Sequence, residues 1–225
     1  MITTFLFDLD ETILDFKKAE AIALGKALEA LEVEPTKERI ELYSRINESF
    51  WKMLEQGKIT RNQVLIGRFE KLFHEIGVEC NAVKAREIYE KHLGTGHYFM
   101  PDALEVLQEL SKKYRLYLVS NGTASVQAGR IESAGIAPLF QEMFISENIG
   151  YNKPSVEFFD YCFKRIPDFS REAAIIVGDS LTSDIRGGNN AGIKTCWFNP
   201  YGKQRTDDVN IDFEITKLTQ LLKLF

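Results

Sequence analysis

The sequence predicts an α/β fold, a doubly wound parallel sheet interrupted by an inserted module of four helices. Three observations predict it. From about residue 101 onward, short apolar runs alternate with helical patterns, as in strands joined by crossover helices. One further apolar run stands near the N-terminus, and roughly residues 16–97 after it read as helical throughout. The apolar runs also end in polar residues, which places those residues together at one edge of a parallel sheet.

The elements run in this order. "FLFDLD" begins at Phe5 as a buried strand, with Phe5, Leu6, Phe7 and Leu9 apolar and with Asp8, Asp10 and Glu11 set into its end. Ile22, Leu24, Ala27, Leu28 and Leu31 then recur at helical spacing, as do Ile40, Tyr43, Ile46, Phe50 and Leu54. Val64, Leu65, Phe69, Leu72, Phe73 and Ile76 form a third stripe, and Val83, Ile88 and Leu93 a fourth. Thr60 with Gln63 spells a capping box, while Pro35, Gly94 and Gly96 punctuate helix ends. These stripes predict a helical module with its own small core.

Beyond it, a helix near 102–112 precedes the strand "YRLYLVS" (114–120), and "GTASVQAGRIESAG" (122–135) reads as the next helix. "EMFIS" (142–146) is a short strand followed by a helix from Ser155 to about Arg165. "AAIIVGD" (173–179) is a continuous apolar run of the kind buried on both faces of a parallel sheet. A helix of about 182–191 ends at Gly192, and "KTCWF" (194–198) makes another strand. No internal repeat or low-complexity stretch interrupts this order. Residues 1–15 and 98–225 are therefore expected to form the core domain and 16–97 the inserted domain. The natural place for the insertion is over the carboxyl ends of the strands, where open α/β sheets bind ligands.

Composition excludes several classes. A chain of 225 residues with 44% hydrophobic and 27% charged residues is an ordinary folded protein. A formal net charge of −5 argues against a nucleic-acid groove. No apolar run approaches the ~20 residues of a membrane span, and Asp8 breaks the first run too early for a signal peptide. Cys80, Cys162 and Cys196 are odd in number and far apart. They suggest reduced thiols in a cytoplasmic protein, with neither a disulfide framework nor a zinc site. His74, His92 and His97 have no spaced partner for zinc.

The strand ends carry the chemistry. The first ends in Asp8-Leu9-Asp10, the second in Ser120-Asn121-Gly122, and the strand at 142–146 leads to Lys153-Pro154. The strand at 173–179 ends in Gly178-Asp179, with Asp184 five residues on. Carboxylates at Asp8, Asp10, Asp179 and Asp184 cannot stay ionised together in a cleft without a cation, and hard oxygen donors in that number suit Mg²⁺. A hydroxyl, the N–H groups after it and a lysine are what the oxygens of a phosphoryl group need.

"DLDET", "SNG", "NKP" and "GDSLTSD", in this order, resemble the four motifs of the haloacid dehalogenase-like hydrolases, and the helical insertion matches that superfamily's cap. "GKIT", "GRFE", "SDIRGG" with "NAG", and "TCWFN" are further similar to its bacterial house-cleaning pyrimidine 5′-nucleotidases. The resemblance covers essentially the whole chain and implies a Rossmann-like core and a Mg²⁺-dependent phosphatase acting on small phosphomonoesters, nucleoside 5′-monophosphates foremost. It implies Asp8 as the nucleophile that becomes an aspartyl-phosphate and Asp10 as general acid and then base. It further implies Asp179 as a direct metal ligand, joined by a carboxylate oxygen of Asp8 and the backbone C=O of Asp10. Asp184 is expected to order a metal-bound water or a neighbouring residue, or merely to sit in the field of a helix N-terminus. Ser120, with the N–H groups of Asn121 and Gly122, would bind the phosphoryl oxygens, and Lys153 would offset their charge and that of Asp8. Thr12 would fix the loop after the strand, a task close to plain turn capping. Of Phe50 and Trp51, about 100° apart on a helix, one is expected to face the module's core. The other could pack on a base or sugar, with core packing as the competing role.

Sugar phosphates and phosphoglycolate are alternative substrates, and a phosphomutase would share every motif. A carbon–halogen hydrolase is disfavoured because Asp10 supplies the acid that an alkoxide leaving group needs. A phospho-accepting signalling receiver also combines aspartates, a hydroxyl and a lysine, but takes phosphate on a later strand and has no helical insertion. The expected partner is a small phosphate ester, with no nucleic acid and no membrane. The chain is expected to be a monomer or homodimer.

Overall fold

β1 (Thr4–Phe7) lies inside a six-stranded sheet of order β3-β2-β1-β4-β5-β6. The other strands are β2 (Arg115–Ser120), β3 (Glu142–Ile145), β4 (Ala174–Gly178), β5 (Lys194–Phe198) and β6 (Phe213–Ile215). Every neighbouring pair is parallel. The computed structural model describes residues 1–205 and 208–225. Its helices are α1 (Phe16–Ala30), α2 (Lys37–Glu55), α3 (Arg61–Glu75), α4 (Ala82–Leu93), α5 (Ala103–Ser111), α6 (Ala124–Ala134), α7 (Ser146–Ile149), α8 (Val156–Arg165), α9 (Arg186–Ala191) and α10 (Leu221–Leu224). Two compact units result, Met1–Asp15 with His97–Phe225, and Phe16–Gly96.

The apolar runs become strands because both faces of the sheet are covered. Phe5 and Phe7 point to one side and pack with Val106, Leu107 and Leu110 of α5 and Ile131 of α6. Leu6 points to the other and packs with Phe158, Phe159 and Cys162 of α8. The expected doubly wound sheet is thus present. Register decides where the first acid emerges: Phe7 lies opposite Leu118 on one side and Val177 on the other. Asp8 therefore comes out between the ends of β2 and β4, its N–H donating to the Val177 carbonyl at 2.9 Å.

Two departures concern this edge. The helix expected over 182–191 begins as a wide π-type turn, Leu181–Ile185, before α9. The Ser180 carbonyl accepts from both the Asp184 and Ile185 N–H groups, at 3.0 and 3.1 Å, which widens the turn. β6 is the second departure. It is a three-residue edge strand pairing with β5, and so short an apolar run gives no periodicity to read.

In the helical unit, the capping box on Thr60 and Gln63 is formed in both directions. Leu24, Leu28, Tyr43, Ile46, Val64, Phe69, Leu72 and Tyr89 are buried as its core. The fourth stripe differs in part from the sequence pattern: Leu93 is buried as expected, but Val83 is exposed, and α4 buries Ala85 and Tyr89 instead. Ile22 is exposed as well. Both Phe50 and Trp51 are half-buried. Phe50 lies over Gly67, whose missing side chain makes room for the ring, and Arg61 stacks over Trp51 at 5.5 Å. Glu20, Asn47 and Arg68 form a buried polar chain through α1, α2 and α3, with links of 2.7 and 2.9 Å, so each charge there has a partner.

Candidate active site

The site is built where β1, β2 and β4 end. Lys153 is its organising side chain. It is 1% exposed, and its ammonium donates to Asp8 Oδ1 at 2.7 Å, to Asp184 Oδ1 at 2.7 Å and to the Val119 carbonyl at 2.9 Å. Three donors meet three acceptors, which is what a buried ammonium requires. Burial alone would pull the Lys153 ammonium down, but Asp184 and Asp8 outweigh that and hold it above the usual lysine range. Its backbone is clamped by Asn121, whose side chain accepts from the Lys153 N–H at 2.8 Å and donates to the Lys153 carbonyl at 2.9 Å.

Asp8 is buried, with Thr12 Oγ1 3.5 Å from its Oδ2. Burial pushes its carboxyl well above the ordinary range; Lys153 opposes that shift, and Asp184 and Asp10 add to it. Asp184 is fully buried, and its Oδ2 accepts from the Ser180 N–H at 3.1 Å. The π-type turn carries it beneath Gly178, where a Cβ would lie 2.3 Å from the Asp184 carboxylate. Asp179 accepts from Lys203 Nζ at 2.8 Å, and its carbonyl takes the Trp197 indole N–H at 2.9 Å. Burial raises the Asp179 carboxyl too, against the pull of Lys203.

Among the described residues, Asp8, Asp179 and Asp184 bring carboxylate oxygens within 4.8 Å of one another. Three carboxylates meet two ammonium groups, Lys153 and Lys203, so the cluster, when ionised, is short of positive charge. An all-oxygen donor set with that deficit fits Mg²⁺.

The Asp10 carboxylate stands apart from this cluster, which leaves its backbone carbonyl as the group expected to face the cation. The carboxylate accepts instead from Gln127 Nε2 at 2.7 Å and from Arg130 Nη1. Gln127 Nε2 also reaches Ser120 Oγ at 2.8 Å. The Gly122 N–H donates to that same hydroxyl at 3.1 Å. Gly122 has a steric duty as well, since a Cβ there would lie 2.4 Å from the Gln127 amide.

Gln127, Arg130, Trp197 and Lys203 escaped the sequence pattern. A signal existed for the first two: the buried face of α6 is Val126, Gln127, Arg130 and Ile131, so polar residues interrupt an apolar stripe at helical spacing. The histidines stay out of the cluster; His97 meets Ser133 at 2.6 Å. Cys162 and Cys196 are buried free thiols, and burial pushes Cys196 up to about 12. No helix among the described residues is long and apolar enough to cross a membrane.

Comparison with known proteins adds four findings. Residues 5–198 match a family model described as haloacid dehalogenase-like hydrolase. The chain is 40% identical over 218 residues to the HAD-hydrolase YfnB of Bacillus subtilis, covering 97% of this chain and 93% of that one. A crystal structure of YfnB bound to magnesium superposes with a TM-score of 0.95 at 39% identity, covering 99% of this chain and 98% of that one. The pyrimidine 5′-nucleotidases PynA of Streptococcus pneumoniae and YjjG of Escherichia coli are 35% and 29% identical. These matches cover 96% and 97% of this chain and 92% and 95% of theirs.

Proposed function

The chain belongs to the haloacid dehalogenase-like hydrolases, and from that premise we propose a Mg²⁺-dependent phosphatase that cleaves small phosphomonoesters, nucleoside 5′-monophosphates foremost, through a phosphorylated Asp8. The observation that carries this assignment is the setting of Asp8. A buried carboxylate at a strand end is held by Lys153 at 2.7 Å and sits within 4.8 Å of the Asp179 and Asp184 carboxylates.

In the first half-reaction an Asp8 oxygen attacks phosphorus, an O–P bond forms, and the ester P–O bond breaks. Asp10 gives its proton to the departing alkoxide. In the second half-reaction Asp10 takes a proton from water, which attacks the aspartyl-phosphate, frees inorganic phosphate and restores Asp8. Lys153 offsets the charge of Asp8, and the Ser120 hydroxyl is a donor for a phosphoryl oxygen. Asp184 orients Lys153 through their 2.7 Å contact. Asp8, Asp179 and the Asp10 carbonyl, with Asp184 beside them, would hold Mg²⁺, which supplies charge neutralisation at the phosphoryl group. Residues 16–97 are assigned the role of choosing which ester is accepted.

The test is phosphate release in Mg²⁺ from pyrimidine and purine nucleoside monophosphates, sugar phosphates and phosphoglycolate. The highest kcat/KM is expected on a pyrimidine nucleotide. Turnover confined to sugar phosphates or phosphoglycolate would overturn the nucleotide assignment. A lasting need for a bisphosphate activator would indicate a mutase.

A further inference from the structure

We infer that Arg130 and Gln127 are positioning residues that aim the Asp10 carboxylate, an inference resting on the acid–base role proposed for Asp10. The carboxylate of Asp10 is 29% exposed and is absent from the Asp8, Asp179 and Asp184 cluster. An aspartate so placed has rotamer freedom unless donors fix it. Here two donors fix it, one on each oxygen: Arg130 Nη1 on Oδ1, and Gln127 Nε2 on Oδ2 at 2.7 Å.

The donors are themselves buried and linked to each other. Arg130 is 0% exposed and Gln127 1%, and both stand on one face of α6, where residues three apart are neighbours. They are joined by an Arg130 Nη1 to Gln127 Oε1 bond of 3.1 Å. Gly122 leaves the space that Gln127 fills. Burying a guanidinium is unfavourable unless it meets a carboxylate with good geometry, and Asp10 provides that partner.

Each carboxylate oxygen accepting one N–H keeps a second acceptor position, so Asp10 is oriented without being blocked. Gln127 also contacts Ser120 Oγ at 2.8 Å. One amide thus sets the proton carrier and the phosphoryl-binding hydroxyl in fixed relation. Neither residue touches the reacting atoms; Arg130 acts through Asp10, and Gln127 through both Asp10 and Ser120.

Non-additivity tests this. Turnover of p-nitrophenyl phosphate in Mg²⁺ is measured for Arg130→Met, Asp10→Asn and the double variant, with burst amplitude by rapid quench. Arg130→Met should lose less than the about 10²–10⁴-fold expected for Asp10→Asn. In the Asp10→Asn background it should lose no more than about twofold further, because the group it aims is gone. Arg130→Met should also release a burst of nitrophenol, since misplacing Asp10 slows water attack more than departure of a phenolate. Arg130→Lys should recover part of the rate. If Arg130→Met unfolds, Arg130→Lys replaces it in the same cycle, with a smaller single loss and again no more than about twofold further loss in the Asp10→Asn background. Multiplied losses in the double variant, with Asp10→Asn itself slow, would overturn the positioning role and leave the acid–base role standing. An Asp10→Asn variant at full rate would overturn both.

Discussion

A Cβ placed on Gly178 would lie 2.3 Å from Oδ2 of Asp184. The clash is with a side chain already committed to Lys153 at 2.7 Å and to the Ser180 N–H at 3.1 Å, so it cannot swing aside freely. Gly178→Ala is therefore expected to lower stability by about 1–3 kcal/mol, as overpacking does, and to reduce kcat through loss of the Asp184–Lys153 contact. Urea unfolding and steady-state rates measure the two effects. An alanine variant with native stability and rate would show that the turn yields at no cost.

Asp8→Asn should abolish turnover, because an amide is a poor nucleophile. It should also remove most of the thermal stabilisation given by Mg²⁺, since a neutral amide is a weaker ligand for a hard cation. Phosphate release and calorimetry with and without Mg²⁺ read both. Appreciable residual turnover would sink the covalent route.

Asp10→Asn separates the half-reactions. With p-nitrophenyl phosphate the leaving phenolate needs little protonation, so Asp8 should still be phosphorylated, releasing a burst approaching one nitrophenol per enzyme. Steady turnover should then fall by about 10²–10⁴-fold, for want of a base. A nucleotide, whose alkoxide leaves poorly, should give no burst. Equal losses on both substrates with no burst would remove Asp10 from acid–base work.

Mg²⁺ and protons should compete for the cluster. Burial raises the carboxyls of Asp8 and Asp179 in the metal-free protein. Their folded values therefore lie above the unfolded value of about 4. The stability these groups contribute is complete below that value and is lost as pH rises through the raised folded values. Lys153, held above its ordinary value, keeps its charge throughout this range. Mg²⁺ binds the ionised carboxylates, so the rise in Tm it produces should grow as pH climbs above the ordinary carboxylate range. Calorimetry in Mg²⁺ against EDTA at each pH checks this, and a pH-independent rise would place the ion elsewhere.

Legibility in the sequence varies with how local the signal is. β1, β2 and β4 can be read because a continuous apolar run followed by Asp, Ser or Gly-Asp is a feature of adjacent residues. Gathering Asp8, Ser120 and Asp179 at one edge follows from parallel strands alone, whereas Lys153 and Asp184 reach it through the loop after α7 and the π-type turn after β4. The partner of Asp10 cannot be read so. Arg130 lies far along the chain, and a helical arginine usually covers the surface with its stem rather than burying its charge. Lys203 belongs to a loop without periodicity, and only the folded chain sets it on Asp179. The face of α4 departs from the pattern because Ala85 and Tyr89, rather than the β-branched Val83, do the packing.

The place of β1 in the sheet has a consequence for biosynthesis. β1 pairs with β2 on one side and β4 on the other, yet Phe7 leaves the ribosome long before Arg115 and longer still before Ala174. Throughout that interval an apolar segment built for two neighbours has none, while α1 to α4, whose packing partners lie close in sequence, are completed. A bare strand of this kind is an aggregation hazard, and charges at its flank are the usual guard. Asp8, Asp10 and Glu11 stand at that flank, in the position that such guarding charges occupy.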